Sequence, residues 1–310
     1  MHDPFSDLLS LVSARSVLLG GLVTGGAWSI AIPPPETIKF WYIVRGNCWL
    51  DLGGEKQPIA LEAGDVFLMS APRPVIMASD LTAPQVDLTD ILKGQLGAIV
   101  KHGDYGDDFF MIGGKVELDK KREQLFLDAL PPTIHVRATS KQANTLHLLM
   151  DLLIRERETV QPGAGAASAQ LAHLMFIHIL RDHFETSAPH APGWLRAVSD
   201  QRLAPALQLI HADPARSWQL AELAKASAMS RATFAAYFKT TAGLSPVAYL
   251  TTWRMHLAKR ALQETDTTMG ALAQSLGYGS ESAFSTAFKR ITGSSPRSFR
   301  SSHTAASSVD

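Results

Sequence analysis

The chain has 310 residues, of which 46% are apolar and 19% are charged. This composition is typical of a globular protein and excludes wholesale disorder, and the length is sufficient for two domains. The 29 basic and 29 acidic residues balance overall, yet Trp194 to Arg300 holds 13 Lys and Arg against 6 Asp and Glu, and residues 1–193 hold 16 against 22. A basic C-terminal third suits contact with a polyanion such as DNA, although a solvated surface would show the same surplus.

Two features of the first 50 residues bear on where the protein is located: one apolar run and the single cysteine. The run from Val17 to Ile32 has 16 residues with four glycines and follows Asp3 and Asp7 rather than a basic leader, so it predicts neither a membrane span nor a signal sequence. We expect a short helix and then a buried strand there.

Cys48 is the single cysteine, so it excludes an intramolecular disulfide and favours a reducing, cytoplasmic location. A buried apolar role is more common for such a thiol than redox sensing.

Short strands are predicted through residue 130. Lys39–Gly54 holds two aromatic and β-branched runs broken at Arg45-Gly46-Asn47, which is typical of a hairpin. Two further runs flank a Glu-Ala-Gly-Asp turn within Pro58–Met77, and Phe109–Leu118 adds another. Many short strands separated by turns favour a sandwich or small barrel over a βαβ sheet.

The pattern becomes helical at residues 131–193. Asn144–Glu158 and Ser168–Glu185 carry apolar residues at spacings of three and four, separated by a Gly/Ala/Ser-rich loop at Pro162–Ser168. Two such antiparallel helices predict a dimerisation element or an inter-domain brace. Thr186–Gly193 is a Pro-rich linker, and Ser301–Asp310 is predicted to be a disordered tail because it has nothing to bury.

One short element occurs twice in the C-terminal third, at Met229–Pro246 and Gly279–Pro296. When Ser230 is set against Ser280, seven of 17 positions are identical. Serines suit helix N-caps, phenylalanines at i and i+4 share a buried face, glycines suit left-handed ends, and Ser-Pro begins the next helix. The identical pairs are Ser230/Ser280, Phe234/Phe284, Phe238/Phe288, Lys239/Lys289, Gly243/Gly293, Ser245/Ser295 and Pro246/Pro296.

A second short helix is predicted before each copy, at Gln219–Ala226 and Met269–Leu276. Ala224 and Ala273 precede their serines by six and seven residues, so the second turn is one residue longer. Helix, tight turn and helix make up a helix-turn-helix motif, whose second helix can enter a major groove. Val247–Gln263 would connect the motifs with a helix of about 25 Å. A helical array duplicated for packing alone is the alternative.

Most exposed residues differ between the copies, as two readers of different DNA half-sites would require. They are the predicted DNA-binding residues. In the first copy these are Ser230, Arg231, Ala232, Ala235, Ala236 and Lys239, and in the second they are Ser280, Glu281, Ser282, Ser285, Thr286, Lys289 and Arg290.

Trp194 to Arg300 resembles the DNA-binding unit of the AraC/XylS family of transcription regulators, through "LAELAKASAMSRATFAAYFKTTAGLSPVAYLTTWRMHLAKRAL" and "LGYGSESAFSTAFKRITGSSPRSFR". The front half resembles the cupin-type effector domain of one branch of that family, through "GNCWLDL", "LEAGDVFLM" and "LPPTIHVRA". The resemblance implies an α+β multidomain protein with a cupin-like jelly roll at 1–130, a helical dimerisation or linker segment at 131–193 and tandem helix-turn-helix motifs at 194–300. It further implies promoter DNA, a small-molecule effector, a second copy of the chain and RNA polymerase as partners.

Two departures from the family patterns matter. Metal-binding cupins carry histidines on their strands, whereas here His102 and His135 stand alone, so we expect no metal, no other cofactor and no catalytic residue. The first copy carries alanines where the family often has larger base-reading side chains, and alanine can contact only a thymine methyl group.

Two rival functions follow from these features: a cupin-type metal-dependent enzyme with a helical accessory domain, and a structural DNA binder without an effector. Trp41, Trp49 and Phe67 either line an effector pocket or belong to the core of the barrel.

Overall fold

The structure, a computed structural model, describes residues 3–11, 14–54, 57–93, 98–103, 106–118, 126–127, 130–158, 161–186 and 192–307. The chain forms two compact units. The strand unit is Ser13–Ala188, and the helical unit combines Met1–Val12 with Pro189–Asp310. The first residues of the chain therefore fold with the C-terminal helices, whereas the sequence grouped them with the strands in a 1–130 segment. Most of the predicted linker, residues 187–191, lies outside the described residues.

Strands of the strand unit form two sheets. In chain order they are β1 Arg15–Thr24, β2 Ser29–Ile32, β3 Ile38–Arg45, β4 Asn47–Asp51, β5 Ile59–Glu62, β6 Val66–Met69, β7 Val75–Ala78, β8 Gln85–Asp87, β9 Ile99–His102, β10 Phe109–Glu117 and β11 Thr133–Val136. The larger sheet has the order β11-β6-β3-β10-β1-β9 and the smaller β5-β4-β7-β2-β8. Only β1 with β9 and β2 with β8 pair in parallel among these strands. The predicted sandwich is confirmed.

The helix expected in the apolar run at Val17–Ile32 was wrong, because β1 occupies that place; the buried strand expected after it is present as β2. β1 pairs with β10 from Arg15 to Thr24, and β2 pairs with β7. Because pairing on both edges satisfies the backbone of a glycine-rich segment, a run with few strong helix formers becomes strand.

The two strands on either side of Gly46 were predicted to pair as a hairpin, and this prediction was also wrong. Both strands form, but β3 belongs to the larger sheet and β4 to the smaller one, so they do not pair with each other. Gly46 has φ +81°, and a Cβ there would collide with the carbonyl oxygen of Asp108. The glycine therefore lets the chain turn sharply against a neighbouring backbone and pass from one sheet to the other.

Two apolar layers hold the strand unit together. Residues from the facing sides of both sheets, including Trp41, Phe67 and Met77, form one buried core. Helices α3 (Ala143–Glu158) and α4 (Ala164–Thr186), which follow the short α2 (Leu88–Leu92), pack as a helical hairpin, and α4 lies against β1, β10 and β11. α4 begins within the predicted Pro162–Ser168 loop, since Ala164, Ala166 and Ala167 favour helix.

The helical unit begins with α1 (Pro4–Leu11) and continues after the strand unit. Its other helices are α5 Trp194–Ser199, α6 Ala204–Ala212, α7 Leu220–Ala226, α8 Arg231–Ala242, α9 Pro246–Glu264, α10 Met269–Ser275, α11 Glu281–Thr292 and α12 Pro296–Ser307. The predicted motif helices and connector are present, and α9 is about 28 Å long. No described helix is long and apolar enough to cross a membrane.

Helix α1 packs against α5, α6 and α9 of the same unit. Leu8 is 1% exposed and Leu9 is 7% exposed. The carboxylate of Asp7 forms a hydrogen bond or ion pair with the buried His211. The other ring nitrogen of His211 lies 3.0 Å from the hydroxyl of Tyr249. The helix is thus an integral part of the C-terminal core.

The last helix, α12, continues through Ser307, seven residues into the segment predicted to be a disordered tail. Pro296 starts the helix, and no proline or glycine interrupts it from Arg297 to Ser307. Residues 308–310 of the predicted tail lie outside the described residues.

Candidate functional site

The two copies of the repeated element fold into matching helices, α8 and α11. The Ser230 hydroxyl accepts a hydrogen bond from the backbone N–H of Thr233 at 3.2 Å, and Ser280 accepts one from Ala283 at 3.1 Å. Both helices end at a left-handed glycine: Gly243 has φ 75° and Gly293 has φ 81°. The predicted N-caps and C-terminal glycines are therefore confirmed.

The apolar side of each helix is fully buried. Phe234 and Phe238 of α8 are 0% exposed, and so are Phe284 and Phe288 of α11. In each helix the two rings lie one turn apart, with centroids separated by 5.5 Å and 5.8 Å respectively. The aromatic pairs fix which side of each helix faces solvent.

The turns before the two helices share one geometry but differ in length. The backbone N–H of Met229 donates to the carbonyl of Ala224, and that of Tyr278 donates to Ala273, both at 2.9 Å. Ala228 and Gly277 occupy equivalent left-handed positions, with φ 52° and 76°. Gly279 is then the additional residue of the second turn, which the spacing of the alanines predicted.

Most predicted reading residues lie on the solvent side of α8 and α11. Of them, Ala235, Glu281 and Ser285 are half-buried. The two cap serines are exposed, but their hydroxyl groups already hold the first turns of the helices. The exposed members are Ser230, Arg231, Ala232, Ala236 and Lys239 in the first copy, and Ser280, Ser282, Thr286, Lys289 and Arg290 in the second.

Glu281 is the acidic member of the predicted set. Its carboxylate accepts a hydrogen bond from Arg297 of α12 at 3.0 Å, and the pair is exposed enough to contribute little stability. The pairing draws Glu281 toward α12 and offsets the negative charge that it would present to phosphate.

Arg254 of α9 joins the two motifs, a role that the motif pattern in the sequence does not predict. Its guanidinium donates to the carbonyl oxygens of Pro214, Ala215 and Arg216, just before the first motif. The same group lies 5.6 Å from the ring centroid of Tyr278, in the turn of the second motif. In the sequence, Arg254 stands between two apolar residues of the connector helix, and this pattern could have indicated its role. A cation that is partly buried must find hydrogen-bond acceptors.

A second contact orients α8. The hydroxyl of Tyr237 donates to Asp200 at 2.6 Å, and the guanidinium carbon of Arg202 lies 4.3 Å from the Tyr237 ring centroid. The hydrogen bond to Asp200 raises the pKa of Tyr237, which stays protonated at neutral pH. These residues hold the outer edge of the first motif against the segment after α5.

In the strand unit, Asp65 and His135 form a clasp between the β5–β6 turn and β11. Asp65 Oδ2 lies 2.8 Å from His135 Nε2, and Asp65 accepts backbone N–H bonds from Glu62 and Ala138. The lone His135 is thus satisfied by a carboxylate. Within the described residues, no group of three or more His, Cys, Asp or Glu side chains is arranged to hold a metal ion.

The three aromatic residues considered for a pocket separate in the structure. Trp41 lines a cavity beneath α2, Phe67 is 1% exposed in the core between the sheets, and Trp49 is 45% exposed on β4. β3 and β6 are apolar on both faces, so alternation along the strand could not show which way Trp41 and Phe67 face, and the position of the cavity depends on strands distant in sequence.

A two-sheet domain followed by paired helix-turn-helix motifs defines a class of DNA-binding regulator with a sensor-like front domain. Residues 3–185 match a cupin family model, and residues 223–302 match a helix-turn-helix domain. The chain belongs to the family of AraC-like transcription regulators, as the sequence resemblance predicted.

Relatives with that description cover nearly the whole chain. A putative AraC-like transcription regulator of Streptomyces lividans is 42% identical over 96% of this chain and 98% of its own length. A second, from Streptomyces antibioticus, is also 42% identical, with the same coverage. The DNA-binding domain of AdpA, solved in complex with a target DNA, is 29% identical over 34% of this chain and 96% of that chain, with a TM-score of 0.33. Because the chain matches these AraC-like regulators over nearly its whole length, it is a transcription regulator and not the cupin enzyme considered as the alternative.

Proposed function

We propose that this AraC-like regulator binds promoter DNA as a homodimer through α8 and α11, and that a small molecule in the strand unit controls the binding. Support comes above all from the duplicated scaffold of the helical unit. Caps, phenylalanines and terminal glycines match between the motifs, while the solvent sides of the two helices differ. Two different reading surfaces on one support suit two successive half-sites on DNA.

The exposed basic residues supply affinity without sequence preference. Arg231 and Lys239 lie on α8, and Lys289 and Arg290 lie at the end of α11. Such side chains neutralise phosphates and release condensed counterions, so binding weakens steeply as salt rises. Phosphate contacts also fix the register of the helices on the duplex.

Sequence preference is assigned unequally to the two helices. Ala232 and Ala236 give α8 two solvent-side positions that can touch thymine methyl groups but can make no side-chain hydrogen bond to a base. Ser282 and Thr286 on α11 can donate to and accept from base edges. The second motif therefore carries most of the polar readout, and the first depends more on phosphate contacts and DNA shape.

A dimer is supported by exposed leucines on the helical hairpin. Leu148 and Leu152 lie one turn apart on α3 and are 58% and 43% exposed, and Leu174 on α4 is 44% exposed. Exposed leucines grouped on a pair of helices favour association with a like surface more than isolated ones do. Since a promoter-bound dimer works where transcription takes place, the proposal includes a cytoplasmic location and contact with RNA polymerase.

The dimer is tested by sedimentation of the full chain. Leu148→Glu together with Leu152→Glu should convert a dimer to a monomer, because two charges would be buried in the interface. Ile99→Glu places a charge on an apolar residue that is 52% exposed on β9, which is not part of the hairpin, and serves as the matched control. An unchanged sedimentation coefficient for the double variant would reject this surface.

DNA binding is tested by footprinting on the upstream region of the protein's own gene, with a salt series. Lys289→Ala should weaken binding about equally on all sequences and reduce the salt slope by about one. Thr286→Ala should instead change sequence preference, and Lys141→Ala, which removes an exposed charge from the strand unit, should change neither. Binding by wild type that is insensitive to both sequence and salt would contradict the proposed function.

Effector control competes with the alternative of a structural DNA binder. A small molecule can change DNA binding only if its affinity differs between two arrangements of the protein. A thermal-shift screen of the full chain should find a ligand that raises the unfolding temperature. A stabilising ligand without effect on the footprint would support the structural binder.

A further inference from the structure

The strand unit contains a cavity of about 240 Å³ between β1, β3, β10 and α2. Apolar side chains form most of its wall, among them Leu22, Trp41 and Met111, and the half-buried Leu88 covers it from α2. At about 30 Å³ for each water-sized group, the space holds a ligand of about eight heavy atoms.

A glycine keeps the indole side of this cavity open. Gly113 on β10 lies directly opposite Trp41 in the ladder, and a Cβ at position 113 would lie 3.5 Å from Trp41 Cδ1. A strand interior loses stability at a glycine, and such residues commonly mark the close approach of another group. A larger side chain at this position would occupy the space beside the indole.

Lys39 supplies a cation to the wall of the cavity. It lies two residues before Trp41 on β3, so both side chains are on the same face of the sheet. Among the described residues, no carboxylate forms an ion pair with Lys39. Burial lowers the pKa of Lys39, an effect that Glu36 opposes and Lys115 reinforces.

Lys39 also faces a like charge across the ladder. Its partner on β10 is Lys115, whose ammonium group pairs with Glu117 at 2.5 Å. Like charges directly opposite one another destabilise a sheet. Glu117 already offsets the charge of Lys115, so an anion beside Lys39 would give the second lysine a partner as well, and the apolar cavity adjoins Lys39.

We propose that this cavity binds a small monocarboxylate of about six carbons in all, its carboxylate against Lys39 and its apolar body beside Trp41 and Met111. The assignment rests on the proposed function, because it names the chemical class of the effector. The polar head and apolar body follow from one cation in a wall whose other side chains, apart from Thr89, are apolar.

The test measures binding of three matched probes to the full chain by calorimetry: hexanoate, 1-hexanol and hexylammonium. Wild type should bind hexanoate at least about tenfold more tightly than hexanol, and hexylammonium more weakly than either. Lys39→Met should remove the preference for hexanoate over hexanol, and Lys39→Arg should restore it. Gly113→Leu should abolish binding of both, whereas Lys101→Met, which removes an exposed charge on β9, should change nothing.

Equal affinity of wild type for hexanoate and hexanol would overturn the proposal, as would an unchanged preference in Lys39→Met or the absence of any binding. The wild-type footprint separates this result from a failure of the proposed function. If the footprint is intact and sequence-dependent while no probe binds, only the ligand class is rejected. If the footprint is absent, the proposed function fails, whatever the probes do.

Discussion

The carboxylate of Asp7 lies 3.1 Å from Nδ1 of His211, although 204 residues separate them in the chain. The other nitrogen of the imidazole lies 3.0 Å from the Tyr249 hydroxyl, and the ring stacks on Trp253 with a centroid distance of 4.1 Å. Burial raises the pKa of Tyr249 well above its ordinary value, so this hydroxyl stays protonated. A buried polar chain of this kind stabilises the fold only while each member keeps its partner.

We therefore expect Asp7→Asn to lower the free energy of unfolding of the helical unit by about 1–3 kcal/mol, because the buried imidazole loses a charged partner. Urea unfolding followed by Trp fluorescence measures the change. Asp90→Asn, on the exposed surface of α2, makes the same chemical change and should have an effect within about 0.5 kcal/mol of zero. Equal effects of the two variants would mean that the Asp7 contact does not stabilise the unit.

A second prediction concerns Gly277, in the turn of the second motif. A Cβ at this left-handed position would collide with the carbonyl oxygen of Ala215 and approach Arg254. Gly277→Ala should cost more than about 2 kcal/mol, since backbone strain adds to the steric conflict. Thermal unfolding and binding to a duplex containing the operator should both show the loss.

Gly270 provides the control for that variant, because it lies in α10 and a Cβ there would meet no packed neighbour among the described residues within 4 Å. Gly270→Ala should leave DNA binding unchanged and stabilise the helix by up to about 1 kcal/mol. A Gly277→Ala protein as stable as wild type would show that the turn can adopt another conformation.

Acid should weaken the clasp at Asp65. Burial alone would raise the pKa of Asp65, but hydrogen bonds from His135 and from the backbone N–H groups of Ala138 and Glu62 outweigh it and bring the pKa below its ordinary value. The clasp therefore contributes stability above the unfolded pKa of about 3.9, and this contribution is lost as pH falls through the lower folded value.

Asp65→Asn should then destabilise the strand unit at pH 7 by about 1–3 kcal/mol, with the difference from wild type shrinking as pH falls below about 4. Urea titrations at a series of pH values measure this. Glu62→Gln removes a charge from an exposed side chain in the same turn and should give a small, nearly pH-independent change. A difference for Asp65→Asn that stays constant from pH 7 to pH 3 would contradict the assignment.

Cys48 should be inert in the folded protein. Burial, with a smaller contribution from the charge of Asp65, raises the pKa of this thiol to about 12. Because the thiolate is the reactive form, a disulfide reagent at pH 8 should not modify the native protein but should modify it in urea. Modification of the native protein at the rate of the unfolded chain would restore a redox role for Cys48.

Local signals predicted the helical unit well. A serine that caps a helix bonds to an N–H three residues ahead, and a terminal glycine acts within one turn, so Ser280 and Gly293 could be interpreted without knowledge of distant contacts. The same holds for the buried pair Phe284 and Phe288, because a spacing of four residues specifies one side of a helix.

Non-local features were not predictable in this way. A turn glycine such as Gly46 is expected both in a hairpin and where the chain crosses from one sheet to another. Only the pairing of β3 with β6 and β10 shows that this turn is a crossing between sheets. Likewise, nothing near Arg254 in sequence shows that its acceptors lie about 40 residues earlier. The reading residues were located on the exposed sides of their helices, but their contacts with DNA stay a prediction.

The position of α1 has a consequence for how this regulator can be divided. A fragment that starts at Trp194 would contain both motifs but would leave behind the helix that covers His211 and contributes Leu8 to the core. Such a fragment would carry an unfilled apolar groove and a tendency to self-associate. A fusion protein that joins residues 1–11 to the C-terminal helices would contain the whole helical unit, whereas a fragment made by truncating the chain at one position would not.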